Sequence, residues 1–197
     1  MQYRLLGTTG LTVSALSLGT VSLGVDYGIA APGEFGRPDE ADAIALVRAA
    51  RDCGITLFDT APAYGDSERI VGTAVGRDPR AIIATKVPAS GSGQAAIASI
   101  ESSLRALRRD ALDIVQIHNA TRDTIDNRAL TDALLDAKRR GLVRAIGASV
   151  YGEDAALAVI ATGAFGVLQV ALNALDQRMR DRVLPAAAAA GVGVVVR

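Results

Sequence analysis

Residues 55–68, Ile-Thr-Leu-Phe-Asp-Thr-Ala-Pro-Ala-Tyr-Gly-Asp-Ser-Glu, contain the pattern that predicts the fold. The apolar, β-prone run at the start breaks off at Asp59, and a proline and a glycine soon afterwards disfavour regular structure. Residues 66–68 then supply the oxygens and the negative charge that a helix N-terminus favours. The stretch predicts a buried strand, a tight loop and a helix start, with a carboxylate at the strand end and the phenol of Tyr64 shortly after it. Taken alone, such an acid is better explained as a turn or helix cap than as a functional group.

The same pattern recurs along the chain, each time with a chemically useful residue near the end of a predicted strand. Ala81–Thr85 precedes Lys86, Asp113–Ile117 precedes His118, Val143–Ala148 precedes Ser149, and Val167–Val170 carries Gln169 with Asn173 beyond it. His118 is the only histidine and Lys86 is one of two lysines. Because such scarce residue types occur at equivalent topological positions, a functional role for them is favoured over a chance location on the surface.

Composition limits the class of protein. The 197 residues are 50% hydrophobic, which is enough for one substantial core, and the net charge is zero with acids and bases interspersed. This balance argues against a nucleic-acid or anionic-membrane surface. Residues 7–10 interrupt the N-terminal apolar run, so no signal peptide is predicted, and no window is long enough for a membrane span. We expect a cytoplasmic protein with no metal site, whose single Cys53 is a small core residue.

The remaining pattern predicts alternating strands and helices. Tyr3–Leu6 and Leu11–Val13 predict a β-hairpin, Ala15–Leu18 the first core strand, and Gly24–Pro38 a long glycine-rich loop. Helices are predicted over Glu40–Asp52, Ser67–Val75, Gln94–Arg108, Asn127–Arg140, Glu153–Ala161 and Arg178–Ala190, and a last strand over Val192–Val196. Strict alternation of this kind indicates a parallel sheet of right-handed βαβ units.

The position of the polar residues separates an open sheet from a barrel. In barrels the active site draws on the C-terminal ends of several strands, whereas an open sheet concentrates chemistry at one switch point. We therefore predict a single α/β domain over residues 1–197, of the (β/α)8 TIM-barrel type but ending at strand 7. Residues 91–96, Gly-Ser-Gly-Gln-Ala-Ala, imitate a dinucleotide-binding fingerprint. Because residues 88–90 separate them from the preceding strand, a loop followed by a helix start is the preferred interpretation.

At these residues the sequence resembles the aldo-keto reductase superfamily over its whole length. The matching motifs are the N-terminal hairpin, Leu18-Gly19-Thr20, Phe58-Asp59-Thr60-Ala61, Tyr64-Gly65, Ser67-Glu68, Thr85-Lys86, Gln116-Ile117-His118, Gly147-Ala148-Ser149, Gln169 and Asn173. The resemblance implies a barrel that reduces aldehydes or ketones with NADPH, bound without a Rossmann domain.

The resemblance also implies a role for each residue. Tyr64 would donate a proton to the alkoxide formed by hydride transfer, and Lys86, held by Asp59, would lower the pKa of that phenol. His118 would hydrogen-bond the carbonyl oxygen. Three residues would lie on the cofactor side: Ser149 and Gln169 at the nicotinamide carboxamide, and Asn173 in the same motif. Thr20 or Asp59 would approach the ribose.

The sequence departs from the family in three places. Val150 stands where an asparagine is usual, and Leu172 where an aromatic residue is often found. The phosphate-binding residues of the family follow strands 7 and 8, and the sequence ends at Arg197, on strand 7, before the eighth strand, two helices and the residue that stacks on the far nicotinamide face. We therefore expect weak NADPH binding. We also expect the two open sheet edges to pair with another copy, or to be covered by a segment such as the hairpin.

Two other functions remain open at this stage. The same acid-base residues would also suit a cofactor-independent lyase, dehydratase or isomerase. A non-catalytic remnant of the family acting as a subunit is the third possibility. In each case the partner is a small carbonyl compound or another copy of the chain. The sequence does not name the substrate, since specificity in this architecture resides in the loops.

Overall fold

Seven parallel strands in sequential order form the centre of the molecule. The computed structural model describes residues 1–30 and 36–197. The strands are β1 (Tyr3–Leu5), β2 (Thr12–Ser14), β3 (Ser17–Gly19), β4 (Leu57–Asp59), β5 (Ile82–Pro88), β6 (Leu112–His118), β7 (Val143–Val150), β8 (Val167–Val170) and β9 (Gly193–Val196). The helices are α1 (Val21–Gly24), α2 (Glu40–Asp52), α3 (Ser67–Val75), α4 (Gly93–Leu107), α5 (Arg122–Asp126), α6 (Arg128–Arg139), α7 (Glu153–Ala161) and α8 (Val183–Ala189), with a 3₁₀ turn at Pro62–Tyr64.

The sheet order is β3-β4-β5-β6-β7-β8-β9, with every neighbouring pair parallel. The order never reverses, so the sheet has none of the switch points at which open sheets bind dinucleotides. The fingerprint-like residues 91–96 instead form the start of α4, where the Ser92 hydroxyl oxygen accepts a hydrogen bond from the Ala95 amide at 3.2 Å. The dinucleotide interpretation is therefore not supported.

The sheet curls around a common apolar interior. Side chains from six of its strands meet three residues of the N-terminal hairpin in one cluster, called here the inner cluster: Leu6, Leu11, Val13, Leu57, Ile82, Ala84, Ile114, Ala145, Val167 and Val195. Strands as distant in the order as β4 and β9 can share one cluster only if the sheet is strongly bent. The architecture is a curled, seven-stranded parallel half-barrel.

The hairpin of β1 and β2 closes the N-terminal end of this half-barrel. The Thr8 amide donates to the Gly191 carbonyl at 2.8 Å, and Ser14 exchanges hydrogen bonds with Thr56 at 2.8 and 2.9 Å. Gly7 has φ +53, and a Cβ there would lie 2.3 Å from the Gly193 amide nitrogen, so only glycine permits this approach. The hairpin forms its own two-stranded sheet, and among the described residues each of β3 and β9 has a partner on one side only.

The opposite face of each strand packs against the surrounding helices. α3 contributes Ile70, Val71 and Val75, and α6 contributes Leu130 and Leu134, all buried, to the main hydrophobic core. The spacing of these residues places them on one side of each helix, as the periodic sequence pattern predicted. No helix within residues 1–30 and 36–197 has the length and hydrophobicity needed to span a bilayer.

The predicted elements agree with the structure except in a few places. The last predicted helix, Arg178–Ala190, is shortened to α8, which begins at Val183. Pro185 explains this start, because proline has no amide to donate and fits only the first turn of a helix. The short helices α1 and α5 were not predicted. Cys53 is exposed rather than part of the core. Part of the predicted Gly24–Pro38 loop, residues 31–35, lies outside the described residues.

Candidate active site

Strand alternation builds a polar ring directly above the inner cluster. Two residues beyond each of five inner-cluster positions, the same face of the strand carries a polar side chain: Asp59 after Leu57, Lys86 after Ala84, Gln116 after Ile114, Gln169 after Val167 and Arg197 after Val195. Side chains two positions apart on a strand point to the same side, so these five residues, called here the polar ring, line one level of the half-barrel. Gly147 occupies the equivalent position on β7, and Ser149 follows it.

Asp59 and Lys86 form a buried ion pair within the polar ring. Lys86 Nζ donates to Asp59 Oδ2 at 2.7 Å and to the Thr60 carbonyl at 2.9 Å. The other carboxylate oxygen, Oδ1, accepts from Gln169 Nε2 at 3.0 Å and from Gln116 Nε2 at 3.5 Å. The Lys86 side chain is only 1% exposed. Burial of a charge at this depth requires such a partner, and the added amide donors satisfy the remaining carboxylate oxygen.

Tyr64 and His118 lie beside this ion pair, at the C-terminal ends of the strands. Tyr64 ends the 3₁₀ turn that begins at Pro62, and His118 ends β6. Their rings meet edge to face with centroids 5.6 Å apart, and Lys86 Nζ lies 4.9 Å from the centre of the tyrosine ring. The structure thus brings together Asp59, Tyr64, Lys86 and His118, the residues predicted to be catalytic.

The electrostatics of Tyr64 differ from the sequence-based expectation. The pKa of Tyr64 is raised to about 12, first because burial disfavours the phenolate and second because the Asp59 carboxylate repels it. This net shift is opposite in direction to the lowering that was expected from Lys86. The Lys86 ammonium is paired with Asp59 at 2.7 Å, and the carboxylate of that pair contributes to the rise.

The pKa values of the two bases in the site are lowered. Burial lowers the pKa of Lys86 and outweighs the opposing effect of the Asp59 carboxylate. Burial, followed by the Lys86 charge, also lowers the pKa of His118. His118 is therefore a neutral imidazole at pH 7, with one N–H to donate and one nitrogen to accept.

The residues predicted to contact the cofactor are only partly available. Ser149 and Gln169 are opposite one another on β7 and β8, and both are buried. Ser149 Oγ and Gln169 Oε1 are buried atoms without a hydrogen-bond partner among the described residues. A carboxamide, which offers both N–H donors and a carbonyl acceptor, fits this pair. The Gln169 amide nitrogen, however, is already bound to Asp59.

Thr20 and Asn173 are engaged by the protein itself. The Thr20 hydroxyl is fully buried and donates to the Asp59 carbonyl at 3.0 Å. Thr20 therefore fixes the end of β4 and does not face a ligand in this structure. Asn173 is exposed, and its Oδ1 accepts from the amides of Leu175 and Asp176, which leaves its side-chain nitrogen free for a ligand.

Glu68 has a contact in addition to its predicted place in a helix start. It lies in the first turn of α3, as predicted, and its buried carboxylate also accepts a hydrogen bond from the Thr85 hydroxyl at 2.6 Å. Burial raises the pKa of this carboxyl. Neither Asp66 nor Ser67 caps the helix as predicted, since Asp66 makes no cap bond and the Ser67 hydroxyl donates to the Thr20 carbonyl. Glu68 supports the strand that carries Lys86.

Two further residues were not singled out as functional by the sequence. Gln116 is buried in the polar ring beside Asp59, and Arg197 reaches Tyr151 at the mouth of the site. The signal for Gln116 was its position two residues before His118 on an inward-facing strand. The sequence alone gives no comparable signal for Arg197.

A small cavity adjoins the candidate catalytic residues. It has a volume of about 220 Å³ and is lined by Pro62, Ala63, Lys86, Val87, Pro88, Ala89, His118 and Asn119. Most of these residues are small and apolar, and the polar groups come from one side. The cavity has room for a compact molecule, and His118 is the half-buried polar side chain beside it.

Comparison with known proteins identifies the family. A sequence model described as the aldo/keto reductase family matches residues 15–197. The chain belongs to the aldo/keto reductase family. Aldo-keto reductase YhdN of Bacillus subtilis is 32% identical over 94% of this chain and 58% of its own length. An NADH-specific methylglyoxal reductase of Escherichia coli is 30% identical over 97% of this chain and 65% of its own length.

A solved structure supports the fold assignment of this aldo/keto reductase family member. Aldo-keto reductase AKR11C1 from Bacillus halodurans, in its holo form, superposes with a TM-score of 0.85 at 29% identity. The alignment covers 100% of this chain and 66% of that one. The chain thus spans somewhat less than two thirds of the length of the curated relatives it matches. Family members typically reduce carbonyl groups with a nicotinamide cofactor.

Proposed function

We propose that this chain reduces an aldehyde or ketone to an alcohol with NADPH. One observation carries the proposal: the phenol of Tyr64, the imidazole of His118 and the Asp59–Lys86 ion pair lie together at the C-terminal ends of the strands. Lys86 and His118 also line one small cavity there. The half-barrel would then represent part of the (β/α)8 architecture, in which this end carries the chemistry.

Tyr64 is the proton donor in this proposal. Because its pKa is raised to about 12, the phenol keeps its proton throughout the neutral range. An alkoxide is a much stronger base than a phenolate, so proton transfer from Tyr64 to the newly formed alkoxide is downhill. The nearby Lys86 ammonium, 4.9 Å from the ring centre, compensates part of the negative charge that the phenol acquires.

His118 orients the carbonyl group. Its lowered pKa keeps the imidazole neutral, so it polarises the carbonyl oxygen by donating an N–H rather than by competing as an acid. Apolar residues line much of the 220 Å³ cavity beside His118, and less polar surroundings strengthen such a hydrogen bond. Asp59 keeps Lys86 charged and in place, and has no direct contact with the substrate in this proposal.

NADPH would supply the hydride when it is bound. Ser149 and Gln169 would hold its carboxamide, because their Oγ and Oε1 atoms are buried and otherwise lack partners. Asn173 lies on the same side, and its free side-chain nitrogen is available as a donor. The Escherichia coli relative is named as NADH-specific, so the choice between the two nicotinamide cofactors is part of the test.

One observation favours a second candidate function. Gln169 Nε2 lies 3.0 Å from Asp59 Oδ1, so one of the two proposed carboxamide ligands is already used within the protein. A cofactor-independent acid-base enzyme, such as a lyase, dehydratase or isomerase, would use the same four side chains and leave this bond intact.

The test is an absorbance assay of NADPH and NADH oxidation in the presence of short-chain aldehydes and ketones. Reduction of a carbonyl compound by wild-type protein, lost in Tyr64→Phe, supports the reductase. Turnover of a carbonyl substrate with no nicotinamide present would support the acid-base enzyme. No turnover under either condition, together with no cofactor binding, would contradict both.

A further inference from the structure

We propose that the unpaired guanidinium of Arg197 contributes positive charge to the mouth of the candidate active site. The role falls to Arg197 because the other cation of the polar ring, Lys86, is paired with Asp59 at 2.7 Å. The catalytic consequence of the inference rests on the proposed function, but the placement and charge of Arg197 do not.

The backbone aims Arg197 into the site. Gln169 and Val195 are register partners on β8 and β9, and Val195 belongs to the inner cluster. Arg197 lies two residues further on, and its amide continues the ladder by donating to the Val170 carbonyl at 3.0 Å. Its side chain is therefore on the inward face of the strand, at the level of the other residues of the polar ring.

The side chain is held across the mouth by neutral groups only. Arg197 NH1 donates to the Tyr151 hydroxyl at 2.9 Å, NH2 approaches the Val150 carbonyl at 3.4 Å, and the guanidinium carbon lies 4.0 Å from the centre of the Tyr151 ring. No carboxylate among the described residues forms an ion pair with it. A hydroxyl, a carbonyl and an aromatic face fix the guanidinium without neutralising its charge.

Other charged and titratable groups act on the same two side chains: at His118 the effects of Lys86 and Asp59 on the pKa are larger than that of Arg197, and at Tyr64 the effect of Asp59 is larger. His118 faces Lys86, Asp59 and Arg197, and both cations lower its pKa while Asp59 opposes them. Tyr64 faces Asp59, Arg197, Tyr27 and Tyr151. Of these four groups Arg197 alone lowers the pKa of Tyr64, and the other three raise it. The field of Arg197 thus reaches both candidate catalytic side chains.

The consequence for catalysis follows from the sign of the charge. The positive charge of Arg197 disfavours protonation of His118 and favours the negative charge that develops on the substrate oxygen. It also makes transfer of the Tyr64 proton easier by stabilising the phenolate that remains. In chemical terms, the site would favour carbonyl substrates without a positive charge of their own.

The single histidine provides a direct test in the free protein. The imidazole C–H proton signals of His118 in a proton NMR spectrum need no assignment, since no other histidine is present. We expect the titration midpoint of His118 to move to higher pH in Arg197→Met and to stay near the wild-type value in Arg197→Lys. Arg180→Met removes the same charge from an exposed arginine outside the site and should leave the midpoint unchanged.

Two additions keep the test decisive. A short Gly-Ser extension after Arg197 moves the terminal carboxylate away from the guanidinium. If the titration midpoint of His118 stays low in this extended form, the effect comes from the Arg197 side chain. Coincident titrations of wild type and Arg197→Met would overturn the proposal. A shift without any reductase activity in the wild type would leave the charge assignment standing and contradict the proposed function instead.

Discussion

Lys86 Nζ and Asp59 Oδ2 lie 2.7 Å apart inside the half-barrel, in a pair of which the lysine is almost completely buried. Burial, followed by the Asp59 carboxylate of this pair, raises the pKa of the Tyr64 phenol. The pair holds the Lys86 ammonium beside that phenol.

Lys86→Met should destabilise the protein by about 3–5 kcal/mol, because it leaves the Asp59 carboxylate buried without its cation. Chemical denaturation followed by circular dichroism measures the change. The double variant Lys86→Met/Asp59→Asn removes the uncompensated charge and should recover much of the lost stability, while carbonyl reduction stays absent. A single variant as stable as the wild type would show that the pair is not buried in solution.

Tyr64→Phe should fold normally and lose about 10²–10⁴-fold in activity, since it removes the proposed general acid. The Tyr64 hydroxyl has no hydrogen-bond partner within the described part of the chain, so the loss of stability should be small. Tyr3→Phe is the matched control at the opposite end of the half-barrel, where the hydroxyl donates to the Gly54 carbonyl at 3.1 Å. Steady-state kinetics compare the activities of the two variants. A fully active Tyr64→Phe enzyme would show that Tyr64 is not the proton donor.

Stability should decrease as the pH falls below about 6.5, in part because of His118. Its pKa is lowered in the folded protein, first by burial, so between that value and about 6.5 the unfolded chain binds the proton more readily. Urea denaturation of wild type and His118→Gln at pH 7.5 and pH 5.5 measures the effect. We expect the smaller decrease in His118→Gln. Equal decreases in the two proteins would argue that His118 is solvated.

Ser149→Ala should weaken NADPH binding by about threefold to tenfold, the usual cost of one hydrogen bond, without loss of stability. The Ser149 hydroxyl is buried and has no partner among the described residues, so its removal costs the free protein little. Thr131→Val is the matched control, because the Thr131 hydroxyl is also buried and unpartnered but lies on α6, outside the site. Fluorescence titration with NADPH measures the affinity. An unchanged affinity in Ser149→Ala would show that Ser149 does not contact the cofactor.

The 197-residue chain should self-associate at micromolar concentration through its sheet edges. Among the described residues, β9 pairs with β8 alone and carries Val196, which is 48% exposed. An exposed, uncharged β-branched edge favours pairing with another strand. Val196→Lys should lower the mass measured by light scattering toward that of a single chain. A monomeric wild type at this concentration would contradict the prediction.

The sequence alone determined the order and type of the elements. The sequence placed α2, α3 and α7 with the bounds seen in the structure, because each has a polar residue or a glycine at its boundaries, and α2 and α3 also have a clear apolar side. It also placed Asp59 and His118 at strand ends and Lys86 near one, since side-chain alternation and turn chemistry are local properties. These two local signals were enough to predict a parallel barrel-like sheet and its active end.

Only the tertiary structure decided how charges interact. Pairing of Lys86 with Asp59, the bond from Gln169 to Asp59 and the position of Arg197 beside Tyr151 join residues that are 27, 110 and 46 positions apart. The pKa of Tyr64 depends on burial and on the sum of these charges, and neither is encoded in local spacing. The curvature of the sheet brings the C-terminal ends of the strands together. This geometry fixes the distances between the charged side chains of the candidate site, and therefore their electrostatic interactions.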